Sequence, residues 1–377
     1  MQMKKCIYFI GIGGIGMSAL ARWCKSEGFE VLGSDNAKSE ITEGLENEGI
    51  VVNILNKDNL VNRIPENVSK VIYTIAIPEN HPELVFAMQI AEKNNISVLT
   101  YPQALGEMTN TKKVIAVCGT HGKTTTTAMT YFALKNADIN PSVIVGSMIN
   151  LGIDFNGKKT NYVYGDSEWI IIEACEYRRS FLNYNPDIIL VTNIDNDHLD
   201  YFKDKSDIEK AFQEFSDKLK SNDGALIVHK EESGLDSKGT KIICEDIISD
   251  KEIILNVPGI HNRKNAQLVV ALGEFLKLDK SKVLEGLKNF NGTWRRQEYK
   301  GKIYGADFYD DYAHHPTEIR ATLQAFREKF PDRKIVAIFQ PHLYSRTKLL
   351  FNDFVNSFSL ADEVLIFPIY ASREKFN

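Results

Sequence analysis

The sequence predicts an α/β protein built on parallel sheets and divided into three parts. Three observations carry that reading. Twice, from Lys5 to Gly16 and from Val114 to Thr124, a short apolar run ends in a glycine-rich turn that opens a helix-length segment. That is the order strand, loop, helix of a βαβ unit. Later apolar runs end in acidic residues or histidines, as strands of an open parallel sheet do at their carboxyl edge. Breaks in the pattern near residue 110 and at Asn291-Gly292-Thr293 divide the chain into residues 1–110, 111–292 and 293–377.

Composition bounds the function. With 377 residues, 43% of them apolar, the chain can bury two or three ordinary cores. A net charge of -5 excludes a non-specific nucleic-acid binder, which needs a clustered excess of Lys and Arg. Cys6, Cys24, Cys118, Cys175 and Cys244 are scattered and odd in number, without Cys-x-x-Cys spacing. They point to a reducing compartment, with neither a disulfide framework nor a structural zinc. Lys4-Lys5 and the apolar stretch after them imitate a secretory leader, but Gly11, Gly13, Gly14 and Gly16 suit a phosphate turn better. No segment is long enough to span a bilayer, so the expected location is cytoplasmic, without membrane insertion.

In chain order, KCIYFI is a first strand, the glycines 11–16 a turn, and MSALARWCKSEG a helix; EVLGSD is a second strand ending in Asp35. An acid about 20 residues beyond such a turn is where dinucleotide folds contact a ribose. VSKVIYTIAI (68–77) is a further strand, with Thr74 and Ala76 at its carboxyl end, followed by a helix and the strand ISVLT. An ordinary strand end explains Thr74 and Ala76 equally well.

The second part opens on VIAVC and Gly119-Thr120-His121-Gly122-Lys123-Thr124-Thr125. The general phosphate-loop pattern asks for a glycine where Val117 stands, so a shorter Gly-x-x-Gly-Lys-Thr loop remains. Its amides and the following helix dipole favour an anion, Lys123 adds a charge, and Thr124 offers a hydroxyl to Mg²⁺. EWIIIEACE brings Glu173 and Glu176 to a strand end, and DIILVTNIDNDHLDYF brings Asp195, Asp197, His198 and Asp200. Carboxylates and a histidine beside a phosphate loop are a means of fixing Mg²⁺ at a triphosphate, and Glu173 and His198 are the candidate ligands. Solvated loop charges are the competing reading for each Asp. Residues 203–256 alternate charged helical patterns with short strands such as ALIVHK and KEIILN. The run Pro258–Asn265 then opens a helix, with Asn262 a plausible N-cap and Asn265 free to meet an adenine edge.

In the third part, Arg295 and Arg296 follow the glycine turn, where they could bracket phosphates or simply be exposed. IYGADFYDDYA reads as one strand leading to His314-His315-Pro316-Thr317-Glu318; KIVAIFQ and ADEVLIFPIY are further strands.

In order along the chain, GIGGIGMSALA (11–21), GTHGKTTTT (119–127), TNIDNDHLDYF (192–202), PGIHNRKNA (258–266), DDYAHHPTEI (310–319) and FQPHLYSRT (339–347) resemble the motifs of the Mur ligases of peptidoglycan synthesis. The resemblance spans the whole chain and is nearest to the members that join L-alanine to UDP-N-acetylmuramate. It implies a Rossmann-like UDP-sugar domain, a central ATPase domain and a Rossmann-like C-terminal domain that closes over the site. It also implies the reaction. The lactyl carboxylate of UDP-N-acetylmuramate takes the γ-phosphoryl group of ATP, and the amine of L-alanine then displaces phosphate.

By the same resemblance Gly119, Thr120, Gly122, Lys123, Thr124, Thr125, Asn265, Arg296 and Asp311 belong to ATP, and Thr124, Glu173 and His198 to Mg²⁺. Gly11, Gly13, Gly14, Gly16, Asp35, Thr74, Ala76 and Tyr312 belong to the substrates; Lys123, His198, His314 and Arg346 are the expected catalytic groups. Three departures stand out. Cys175, Arg178 and Arg179 replace polar or acidic residues, Leu343 stands where some members are basic, and the chain stops at REKFN, short of the family's usual last elements. An exposed sheet edge, an incomplete apolar face and weakened closure, or completion by a partner, are expected. Rival readings are a recycling ligase that adds a preformed tripeptide, an NAD-dependent dehydrogenase using residues 5–35, and a silent nucleotide-binding scaffold.

Overall fold

The computed structural model describes residues 5–55, 64–151, 159–198, 201–371 and 374. Asp200 lies outside them. The first domain runs β1 (Cys6–Ile10), α1 (Ile15–Ser26), β2 (Glu30–Asp35), α2 (Glu40–Asn47), β3 (Val51–Ile54), β4 (Val68–Tyr73), α3 (Pro82–Asn94), β5 (Ser97–Thr100) and α4 (Tyr101–Thr109). Its sheet is parallel throughout, in the order β3-β2-β1-β4-β5. β1 is buried at every position, which is why it reads as an unbroken apolar run. The chain reverses direction across the sheet between β1 and β4, so the glycine turn after β1 and Thr74 after β4 share the switch point where open sheets bind ligands. The strand expected over 68–77 ends at Tyr73. Beyond it the chain turns, with the amide of Ile77 donating to the carbonyl of Thr74.

The central domain contains β6 (Lys113–Cys118), α5 (Lys123–Asn136), β7 (Ser142–Asn150), β8 (Lys159–Val163), β9 (Trp169–Glu173), β10 (Ile188–Val191), α6 (Lys205–Ser216), β11 (Ala225–Val228), β12 (Thr240–Ile243), α7 (Ile260–Phe275) and α8 (Lys280–Lys288). Its seven strands take the order β12-β11-β10-β6-β9-β7-β8, with β8 alone antiparallel to its neighbour. One face packs on α5, α7 and α8 through Met129, Leu134, Leu268 and Leu272. The other shares a core with the first domain, in which Leu20 and Trp23 of α1 join Ile170 and Ile172 of β9. Two local expectations are corrected. KEIILN is not a strand: Lys251 and Glu252 close a short 3-10 turn, the following residues are irregular, and in-register pairing with β11 falls on Thr240–Ile243. Asn262 sits inside α7, which is capped by Gly259 at φ 103°; its side-chain amide instead donates to the carbonyl of Pro258 at 2.6 Å.

The C-terminal domain has β13 (Glu298–Ile303), β14 (Ala306–Asp310), α9 (Pro316–Lys329), β15 (Val336–Phe339), α10 (Tyr344–Leu349), α11 (Phe351–Ser357) and β16 (Glu363–Ile366). IYGADFYDDYA is not one strand but the turn and second arm of the antiparallel β13-β14 hairpin. The reversal falls at Tyr304 and Gly305, both at positive φ. β15 and β16 form a separate parallel pair, and a groove of about 720 Å³ lies between Tyr309 of β14 and Ile338 of β15. Ile319, Leu323, Phe339 and Phe354 make a small core, while Ile338 and Ile366 are 61% and 65% exposed. Among the described residues β15 and β16 pair only with each other, so both keep an edge without a strand partner there.

Candidate active site

The phosphate loop is held from behind. Thr120 and His121 donate their amides to the carbonyl and side-chain oxygen of Asn193, at 2.9 and 3.0 Å, just past β10. Gly119 has φ 132°, and a Cβ there would come within 2.0 Å of Thr192 Oγ1, so no other residue fits. The first backbone bond of α5 runs from Thr126 to the carbonyl of Gly122, leaving the amides of residues 122–125 without an acceptor inside the helix. Those amides and the helix dipole form an anion seat.

Beside that seat the strand ends converge. Lys123 Nζ lies 2.9 Å from Glu176 Oε2, and Thr124 Oγ1 donates to Glu173 Oε1 at 3.1 Å. His198 Nε2 is 3.7 Å from Glu176 Oε1. β6 and β9 are in register, and β6 also pairs with β10, so residues placed at three strand ends by sequence meet at one edge. Burial works against the charge on Lys123, but Glu176 outweighs it and holds the pKa above the ordinary lysine value. Burial lowers the His198 pKa, with Lys123 and Arg346 adding to the effect against Asp197 and Glu176, so its imidazole is neutral. Glu173 is seated by the amide of Gly146 at 2.9 Å, where a Cβ would collide with its carboxylate at 2.4 Å. An imidazole, a hydroxyl and a carboxylate are the kinds of donor that a divalent cation takes.

The C-terminal domain reaches into the same edge. Arg346 Nη2 is 3.3 Å from Asp197 Oδ1, beside His198. Thr317 donates to Asp195 at 2.9 Å, and His315 Nε2 contacts the carbonyl of Asn196 at 3.1 Å. His121, in the phosphate loop, lies 3.3 Å from Asp195 and 3.4 Å from Glu318 of α9. Burial opposes its charge, but the two carboxylates push its pKa up to about 9. His314 is tied to its own domain, with Nδ1 at 2.9 Å from the Tyr312 carbonyl and 3.4 Å from Glu318. The Tyr312 ring is half exposed and stacked under Arg295 and Arg296, at 4.9 and 5.5 Å.

A cavity of about 420 Å³ opens between the two domains, and Gly122, Thr125, Asn265, Arg296 and Asp311 all line it. Five of the expected ATP residues thus face one space. Asp311 accepts amides from Gln297 and Ala313, both at 2.8 Å, and its burial raises its pKa. On the first domain, Gly11 packs so tightly on Thr74 that a Cβ would come within 2.5 Å of its methyl. Ala76 donates its amide to Thr74 Oγ1 at 3.3 Å. Gly14 caps α1, and Gly16 packs on the ring of Tyr101. Asp35, expected on a ribose or uracil, accepts the amide of Gly13 at 2.8 Å and so braces the turn itself.

Sequence reasoning gave His121 and Glu176 no separate role; His121 lies within the phosphate-loop motif and Glu176 just past β9, but the partner of each is remote in sequence. Of the three departures, Arg179 turns away to pair with Asp207 and Glu214, both at 3.1 Å. Leu343 is buried at φ 70°, and Cys175 is exposed.

The comparisons agree with this geometry along the whole chain. The descriptions "Mur ligase family, catalytic domain", "Mur ligase middle domain" and "Mur ligase, glutamate ligase domain" match residues 6–113, 117–249 and 295–375. A UDP-N-acetylmuramate–L-alanine ligase of Clostridium acetobutylicum is 40% identical over 405 residues, covering 99% of this chain and 85% of that protein. The solved UDP-N-acetylmuramate–alanine ligase of Thermotoga maritima superposes with a TM-score of 0.78 at 30% identity, over 98% of this chain and 86% of the other. A murein peptide ligase of Psychrobacter arcticus shares the fold, with a TM-score of 0.71 at 23% identity over 97% and 91% of the two chains. Ordered motifs, matching sheets and a full-length likeness lead to one conclusion: the chain belongs to the Mur ligase family.

Proposed function

We infer that this chain is an ATP-dependent, ADP-forming ligase that joins L-alanine to the lactyl carboxylate of UDP-N-acetylmuramate in peptidoglycan precursor synthesis. The observation that carries the reading is the meeting of Lys123, Thr124, Glu173, Glu176 and His198 at one sheet edge, faced by Arg346. The choice of sugar and amino acid follows the relatives of known name.

A carboxylate is a poor acyl donor, and bringing it to a triphosphate sets two anions against each other. Lys123 and the amides of residues 122–125 would neutralise the phosphates. Thr124, Glu173 and His198 would hold Mg²⁺, which supplies charge neutralisation at the transferring phosphoryl group when bound. The carboxylate oxygen attacks the γ-phosphorus and ADP leaves. The amine of L-alanine then attacks the acyl carbon, sheds a proton, and phosphate departs with the C–O electron pair. Arg346 and His314, carried by the C-terminal domain, would lie near the acyl phosphate and the incoming amine. Asn265, Arg296 and Asp311 would frame the nucleotide, while the turn at Gly11–Gly16, with Thr74, would receive the UDP-sugar. Tyr312 would border the substrate side. Closure would keep water from the acyl phosphate. This reading places the protein in the cytoplasm, where ATP and a nucleotide-activated sugar are both present.

Phosphate release by the purified chain with ATP, Mg²⁺ and UDP-N-acetylmuramate tests the proposal. L-alanine is expected to be required. Release that instead requires a preformed tripeptide would assign the recycling reaction.

A further inference from the structure

We propose that His229, Cys244 and Glu245 form a second metal site, suited to Zn²⁺ or a similar borderline-soft divalent cation and separate from the Mg²⁺ ligands. β11 and β12 pair in register up to Val228 and Ile243, so the next residue on each strand, His229 and Cys244, are neighbours at the carboxyl edge of the sheet. His229 Nδ1 is 2.8 Å from Glu245 Oε1 and 3.1 Å from Cys244 Sγ, and Sγ is 3.4 Å from Glu245 Oε2. Tetrahedral Zn²⁺, with bonds of about 2.0–2.3 Å, sets its donor atoms roughly 3.3–3.6 Å apart. The Nδ1–Sγ separation of 3.1 Å is close to one edge of such a tetrahedron, and Glu245, which reaches each of those atoms through a different carboxylate oxygen, supplies the third donor.

The chemistry of the donors selects the cation. A thiolate and an imidazole favour zinc-like ions over Mg²⁺ or Ca²⁺, which take oxygen ligands. One thiolate and one carboxylate balance a dication, the thiol proton leaving to solvent on binding. His229 and Cys244 are buried, while Glu245 is 22% exposed, leaving an aqueous approach to a fourth position. The other ring nitrogen, His229 Nε2, is buried without a hydrogen-bond partner, so the polar contacts of this ring are made at Nδ1, the atom that faces Cys244 and Glu245. No Cys-x-x-Cys spacing announces the site, because its ligands come from adjacent strands 15 residues apart. Among the described residues a second such group, His121, Asp195 and His315, contains no thiol and belongs to the active site.

That difference makes the site testable with Co²⁺ as the probe, added to the full chain under reducing, oxygen-free conditions. A thiolate-to-cobalt charge-transfer band is expected to saturate at one equivalent, to persist in Cys175→Ser and to vanish in Cys244→Ser, with Zn²⁺ displacing the cobalt. Absence of the band in the unaltered protein, or its survival in Cys244→Ser, would overturn the proposal. Should Cys244→Ser fail to fold, Glu245→Gln carries the test: about tenfold or greater weakening of Co²⁺ binding is expected, and unchanged binding counts against the site.

Discussion

The ammonium of Lys123 lies 2.9 Å from Oε2 of Glu176, although 53 residues separate them in the chain. The loop lysine is therefore charge-balanced from within, and arriving phosphates exchange one anion for another. Lys123→Ala is expected to reduce ATP-dependent phosphate release by about 100-fold or more, as loss of a transition-state charge partner does. UDP-sugar binding, which the proposed function assigns to the sheet of the first domain, should survive in a calorimetric titration. Loss of both together would mean that the substitution unfolds the central domain.

His121 supplies a pH-dependent latch between the phosphate loop and the C-terminal domain. Its pKa, ordinarily 6.5, rises to about 9 beside Asp195 and Glu318. A raised folded-state pKa contributes stability that is full below the unfolded value and is lost as the pH climbs through the folded one. The melting temperature of the unaltered protein should exceed that of His121→Gln by a constant margin between about pH 5 and 6.5, and the margin should shrink toward pH 9. Glu318 works in the opposite sense, its pKa held well below its ordinary 4.5 by His314, His121 and Arg296 against the cost of burial. Its contribution is present above that value and fades in acid. A margin that does not change with pH would remove the latch.

Much of this site was legible because parallel strands deliver their chemistry at one end. Glu173, His198 and the phosphate loop each follow a buried apolar run, and in-register pairing brings those runs together. What stayed hidden depends on contacts that no local pattern encodes. His121 meets Glu318 only because two domains pack, and Asp35 accepts the amide of Gly13, 22 residues earlier, because β1 and β2 are paired neighbours. The β13-β14 hairpin escaped notice because Tyr304, a residue rarely found at positive φ, takes the first turn position. KEIILN had strand composition without a strand to pair with.

The first domain is fastened to the second through Asn161. Its Nδ2 donates to the Ile15 carbonyl at 2.7 Å and to Ser18 Oγ at 2.8 Å, while Oδ1 accepts from Arg22 at 2.6 Å. All three partners lie on α1, the helix that the Gly11–Gly16 turn opens. Asn161 is fully buried, so Asn161→Ala strands several polar groups at a cost of ~1–3 kcal/mol, measurable by urea unfolding. The proposed function adds a kinetic expectation: KM for the UDP-sugar should rise while kcat changes little.

Gly146 tests the seat of Glu173 without replacing any proposed ligand. Its amide holds the carboxylate at 2.9 Å, and a Cβ would lie 2.4 Å from Oε2, well inside any real contact. Gly146 does not need a glycine for its backbone angle, since its φ is not among the positive values. Gly146→Ala therefore acts by displacing the carboxylate, not by straining the strand. The expected result is a normal melting temperature with phosphate release that needs severalfold more Mg²⁺ for half-saturation. An unchanged Mg²⁺ dependence would remove Glu173 from the metal ligands and leave Thr124 and His198 to be tested by substitution in the same assay.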